Sequence, residues 1–133
     1  MKIIALFLIL ILIIISLIHF YWAVGGKVSI DKVIPIKDGK PMFKPSGFMT
    51  FLIGIIFIGF AFVAYMLAFS EKDFSYAGYG SSLLFFLRAI GDFNVVGFFK
   101  KIRSSQFAVY DIKIYSPFSF FIGTLFLLLV CKV

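Results

Sequence analysis

Charge is scarce in this chain, and what there is lies mostly outside four apolar runs. Only 14% of residues are charged and 62% are hydrophobic, against the quarter or so of charged residues typical of soluble domains, and mean hydropathy is +1.12. These values exclude an ordinary soluble domain. Cysteine is nearly absent: Cys131 stands alone, which excludes an intrachain disulfide, a CxxC pair, a cysteine-based zinc cluster and quinone-coupled thiol chemistry. Histidine is equally rare, and His19, with neither a second histidine nor an acidic cluster, makes no metal-binding pattern. Nothing in the chain implies a cofactor. Acidic residues number 6 against 13 basic ones, for a net charge of +7. A basic excess of this kind suits nucleic acid in other settings, but here the lysines occupy connections between apolar runs. Retention on the cytoplasmic side of a membrane accounts for them, so nucleic-acid binding is set aside.

The apolar runs dominate the rest. Ile3 to Phe20 contains nothing more polar than Ser16 and His19, and about 20 apolar residues are what a helix needs to cross a hydrocarbon core of roughly 30 Å. The run is longer than a signal-peptide core of about 7 to 15 residues, and it ends in His19, Phe20, Tyr21 and Trp22 instead of a small-residue cleavage site. An interfacial aromatic belt closing a retained span explains that ending better. Further spans are expected over Phe48 to Phe69, Phe74 to about Asp92, and Tyr115 to Cys131, with Pro117 tolerated in the first turn of the last. An alternative third frame, Ser81 to Phe99, would carry Arg88 and Asp92 near the bilayer centre, where a charge costs about 2.5 to 3.5 kcal/mol on insertion scales. The earlier frame is therefore preferred. Gly54, Ala61 and Ala68 recur every seven residues, either as a stripe for close helix approach or as the scatter of small residues found in any membrane helix.

The expected architecture is all-α: an integral membrane four-helix bundle of up-down topology, one domain over residues 1–133, with spans near 3–22, 48–69, 74–92 and 115–131. The first connection, Lys27 to Lys44, holds five lysines and two aspartates, and its Asp38-Gly39 pair is a hairpin turn signal between flanking prolines. The first and third connections carry nine Lys and Arg residues, the opposite side three. That bias puts both termini outside the cytoplasm of a multi-pass cell-membrane protein, although Lys2 pulls the other way.

Alternation of helix direction brings the end of the first span, the start of the second, the end of the third and the start of the fourth to one membrane face. His19, Tyr21, Trp22, Arg88, Asp92, Asn94, Asp111, Tyr115 and Ser116 all gather there. Of these, His19, Trp22, Arg88, Asp92, Asn94, Asp111 and Tyr115 are the candidate ligand-binding residues, with no metal role among them and no catalytic role assigned. Arg88 and Asp92 stand four residues apart, a spacing that permits an intrahelical ion pair; Arg88 snorkelling to the headgroups is the plainer account. His19 is more often a packing or interfacial residue than a proton carrier. Lys100, Lys101 and Arg103 are expected to hold their loop against anionic headgroups, at about 1 kcal/mol per basic residue.

The blocks His19-Phe20-Tyr21-Trp22-Ala23-Val24-Gly25-Gly26, Val33-Ile34-Pro35, Arg88 through Lys101, Phe107-Ala108 with Asp111, and Tyr115-Ser116-Pro117 resemble, in order, a small bacterial integral membrane family catalogued as domain of unknown function 3995. The resemblance implies a compact four-helix membrane protein. It carries no activity, substrate or catalytic residue to this chain. Three function classes remain open. One is a protein binding a membrane lipid or small amphiphile at its polar face. Another is a membrane-embedded lipid-modifying enzyme in which Asp92 or His19 carries a proton and Arg88 orients an anion. The third is a small transporter subunit, which would need homo-oligomerisation to enclose a pathway because no inverted repeat is evident.

Overall fold

The apolar runs fold as helices because they offer long stretches of Leu, Ile, Phe and Ala, and the first three contain no proline to remove a backbone donor. The computed structural model describes residues 1–93, 96–103 and 105–132. Helix α1 spans Lys2–Ala23, α2 Gly47–Phe69 and α3 Ser75–Ile90. The last segment is a composite: α4 (Gln106–Tyr110), a π-helical turn over Asp111–Tyr115, and α5 (Ser116–Cys131) run as one helix, Gln106–Cys131, of 26 residues. An all-α four-helix arrangement results. Lys2–Ala23, Gly47–Phe69 and Gln106–Cys131 are long and apolar enough to cross a membrane, with mean hydropathies of 3.2, 2.6 and 2.0. Helix α3, at 16 residues, spans only about 24 Å at 1.5 Å per residue.

The first connection forms the small hairpin that Asp38-Gly39 signals. Strands β1 (Ile36–Lys37) and β2 (Lys40–Pro41) pair antiparallel, Ile36 opposite Pro41 and Lys37 opposite Lys40. Asp38 (φ 54°) and Gly39 (φ 75°) both take positive φ, as a two-residue type I′ turn requires. Ser46 then caps α2, its hydroxyl accepting the Met49 N–H at 3.1 Å.

The helices associate as two antiparallel pairs. In the first, the Lys2 ammonium lies over the Phe69 ring at 5.7 Å, while at the other end Phe20 meets Phe51 at 5.2 Å. Between them Ser16 donates to the Gly54 carbonyl at 2.7 Å. Gly54 lies against Phe20 of α1, Ala61 is buried, and Ala68 packs at the edge of the core. In the second pair Ser82 donates to the Gly123 carbonyl at 2.8 Å, and Gly78 sits against Val130. Phenylalanines join the pairs: Phe85 lies 5.0 Å from Phe60 and stacks on Phe126 at 6.0 Å. Leu8, Leu12, Ile122 and Leu129 complete that core. Outward faces are apolar as well, for only 22% of the most apolar stretch of α1 and 17% of that of α2 is buried. Such a surface suits lipid and not water.

One boundary differs from the sequence reading. The last helix begins at Gln106 instead of near Tyr115, because Ser105 supplies an N-cap, accepting the Ala108 N–H at 3.0 Å, and Phe107 and Ala108 bury themselves. Pro117 therefore lies within a continuous helix. The widened π-turn just before it offsets the clash that a proline ring makes with the carbonyl four residues back. The third frame, by contrast, is the earlier of the two: α3 ends at Ile90, and Arg88 falls in its last turn.

Candidate functional site

After α3 the chain reverses at Gly91 (φ 87°) and again at Gly97 (φ 90°). A Cβ on Gly91 would strike the Val96 carbonyl, and one on Gly97 the Ile90 carbonyl, so neither position admits a side chain. The double reversal returns the Phe98 N–H to the Ala89 carbonyl at 2.8 Å, which occupies one of the orphan carbonyls of a helix end. It also aims the Gly97 N–H at Asp111.

Asp111 is the hub of this region. Its side chain is wholly buried at the start of the π-turn. Oδ1 accepts Arg88 Nη2 at 3.0 Å and the Ser116 hydroxyl at 3.1 Å; Oδ2 accepts the Gly97 N–H at 2.7 Å and Lys100 Nζ at 2.8 Å. Four donors fill the four acceptor sites of an ionised carboxylate. Lys100, also wholly buried, gives a second hydrogen bond to the Gly97 carbonyl at 2.8 Å. Arg103 braces the same loop, donating to the carbonyls of Lys100 and Phe98 at 3.1 and 2.9 Å. Of the three loop basics only Lys100 is turned into the protein interior, while Lys101 and Arg103 are exposed. The partner of Arg88 is Asp111, 23 residues away, in place of the expected Asp92. Asp92 lies exposed on the loop after α3 and accepts the Val96 N–H at 3.0 Å. Asn94 falls outside the described residues.

Beside this network, between the two helix pairs, lies a cavity of about 460 Å³, within the roughly 300 to 1,000 Å³ usual for small-ligand sites. Its walls are mostly isoleucine and phenylalanine from α1, α2, α3 and the last helix, and Ile30, Val33 and Ile34 of the first connection reach it too. Its polar groups are His19, Trp22, Thr50, Arg88, Tyr115 and Ser119. Four of the seven sequence candidates, His19, Trp22, Arg88 and Tyr115, thus line one space. Asp111 stands behind Arg88, and Asp92 is not in the lining.

The polar lining groups are fixed by their neighbours. His19 Nδ1 lies 2.8 Å from the Ile15 carbonyl; a carbonyl can only accept, so Nδ1 carries the proton, and in the neutral ring Nε2 keeps a lone pair. The ring stacks on Phe57 at 5.3 Å and meets Trp22 edge-on at 5.2 Å. Trp22 donates to the Val28 carbonyl at 2.8 Å, and the Tyr115 hydroxyl donates to the Lys32 carbonyl at 2.9 Å. These last two bonds hold the first connection across the end of the bundle. Sequence reasoning missed Lys100 and the residues of that connection. The available signals were the paired glycines flanking a basic loop and the need of Asp111, in an apolar helix, for cationic partners.

No curated protein and no solved structure gives a significant match to the chain. A family model described as "Protein of unknown function (DUF3995)" matches residues 12–126, a stretch that runs from the middle of α1 to the middle of α5 and contains every side chain of the Asp111 network and of the polar lining. By that match, the chain is a member of the DUF3995 family.

Proposed function

We propose that the protein is an integral membrane protein that holds a lipid or another small amphiphile in the cavity between its two helix pairs, tail among the isoleucine and phenylalanine side chains and polar end toward His19, Arg88 and Tyr115. The observation that carries this reading is the cavity itself: about 460 Å³ with an apolar lining and a guanidinium braced at its wall by a buried carboxylate. A bundle serving only structure gains nothing from leaving such a space unfilled beside a network that costs this much desolvation. The basic bias of the first and third connections supports a cell-membrane orientation with both termini outside the cytoplasm.

Native mass spectrometry tests the binding. Wild-type protein taken from its membrane is expected to carry an amphiphile that survives activation, and Ser119→Phe, which adds a ring at the cavity wall, is expected to lose it while retaining the helical circular dichroism of the parent. Equal adducts in both proteins would contradict the cavity as the site. A second reading, lipid-modifying chemistry, draws on the lone pair at His19 Nε2, a proton acceptor in the same lining as Arg88. It assigns nothing to Asp92. Turnover of a lipid by wild type and not by His19→Gln would favour it.

A further inference from the structure

The charges around Asp111 do not balance. Arg88 and Lys100 share one carboxylate, and among the described residues no second carboxylate lies within ion-pairing distance of either. Lys100 is satisfied: wholly buried, it bonds Asp111 and the Gly97 carbonyl. Asp111 has no acceptor site left for another donor. Arg88 differs. Its side chain is 35% exposed and it belongs to the cavity lining, yet Nη1 is shielded from solvent and has no hydrogen-bond partner among the described residues. A covered donor without an acceptor costs about 1 to 3 kcal/mol, more when charged. Two other carboxylates, Asp31 and Asp92, do not remove the excess: Asp31 is exposed and adjoins Lys32, and Asp92 lies on the exposed loop and accepts the Val96 N–H. One net positive charge therefore remains at the wall of a mostly apolar cavity, the situation in which a charge is retained to meet an opposite one.

Resting on the cavity reading above, we infer that the occupant is a lipid acid: an alkyl amphiphile ending in a carboxylate or phosphate ester that meets the Arg88 guanidinium. Arginine is suited to either head, since its permanent positive charge pairs with a carboxylate or a phosphate.

Trp22 is the sole tryptophan and lines the cavity, so bromine on a bound chain quenches its fluorescence. Purified protein in detergent is titrated with dibromostearic acid and with dibromostearyl alcohol, identical in chain and different in charge. The acid is expected to quench saturably with an affinity about tenfold or more above that of the alcohol, as one charge-assisted hydrogen bond provides. Arg88→Gln is expected to bring the acid down to the level of the alcohol, and Arg88→Lys to keep part of the preference. Because the readout is the acid-to-alcohol ratio within each variant, a partial loss of stability does not mimic it. Ser119→Phe should abolish saturable quenching by both. Competition by unbrominated fatty acid against lysophosphatidic acid then decides between the two heads. Equal affinities for acid and alcohol in wild type, or an unchanged ratio in Arg88→Gln, would overturn the acidic head while leaving the cavity reading in place. Quenching that neither saturates nor responds to Ser119→Phe would overturn both.

Discussion

At the scale of single residues the fold turns on Asp111, which satisfies two cations, a hydroxyl and a backbone N–H at once. Removing one member of a buried ion pair leaves the other uncompensated and destabilises by about 3 to 5 kcal/mol. Asp111→Ala is therefore expected to lose at least that much in denaturant unfolding in detergent, since it strands the buried ammonium of Lys100. Arg88→Gln should cost less, because a side chain 35% exposed can reach water. In a double-mutant cycle the Lys100→Met, Asp111→Leu protein should be more stable than the sum of the two single losses predicts, and strict additivity would contradict the network. Gly97→Ala tests the same hub through the backbone: positive φ and the carbonyl of Ile90 both exclude a Cβ, so a loss of about 1 to 2 kcal/mol or more is expected. This network was only half legible. His19, Arg88, Asp111 and Tyr115 stand out in the sequence because ionisable and polar groups are rare in apolar helices, but the i, i+4 spacing of Arg88 and Asp92 suggests a local pair. The actual partner depends on a loop that turns back at Gly91 and Gly97, and no local spacing reports that closure. Lys100 stayed hidden for the same reason, since a lysine in a basic loop reads as a headgroup anchor until the reversal at Gly97 turns it inward.

Among the elements, the antiparallel pairs α1 with α2 and α3 with α5 are each crossed by one buried serine-to-carbonyl hydrogen bond, Ser16 to Gly54 and Ser82 to Gly123. Interhelical hydrogen bonds of this kind in a membrane are worth about 0.6 kcal/mol on average and at most about 1.7. Ser16→Ala and Ser82→Ala should accordingly shift unfolding midpoints slightly, far less than Asp111→Ala, and a large loss in either would mean that these bonds, and not packing of small residues, hold the pairs. The turn before α3 offers a pH-dependent counterpart. The Ser75 hydroxyl and then the Ser75 N–H, which Asp73 accepts at 2.9 Å, hold the Asp73 carboxyl below the ordinary value of 3.8. A depressed folded-state pKa adds stability that is present near neutrality and vanishes as pH falls through that pKa. The contribution is small, because the group is exposed. Asp73→Ala should thus be slightly less stable than wild type near neutral pH, with the gap closing below pH 3.8; a gap independent of pH would contradict the bond. The extents of α1, α2 and α3 follow from apolar length, and the hairpin from Asp38-Gly39. The early start of the last helix did not, because Gln106 to Lys113 is polar enough to read as a connection, and its helicity rests on the Ser105 cap and on burial of Phe107 and Ala108.

For the whole molecule, two helix pairs with apolar outer faces leave between them a pocket whose end is crossed by the first connection through Trp22 and Tyr115. The proposed orientation has its own test: with Cys131 replaced by serine, an impermeant thiol reagent applied to intact cells should label Lys72→Cys and not Asp38→Cys, and the opposite pattern would reverse the topology. The central claim is that the space between the pairs is a binding site with its polar end at Arg88. The most direct measurement is an experimental density map of the protein in lipid nanodiscs drawn from its own membrane. The account predicts one elongated density between Ile15, Phe57 and Ile122, ending beside the Arg88 guanidinium, with Lys100 and Asp111 in contact behind it. Side chains of the two pairs closed together over that space, with Arg88 turned outward to the bilayer surface, would contradict it.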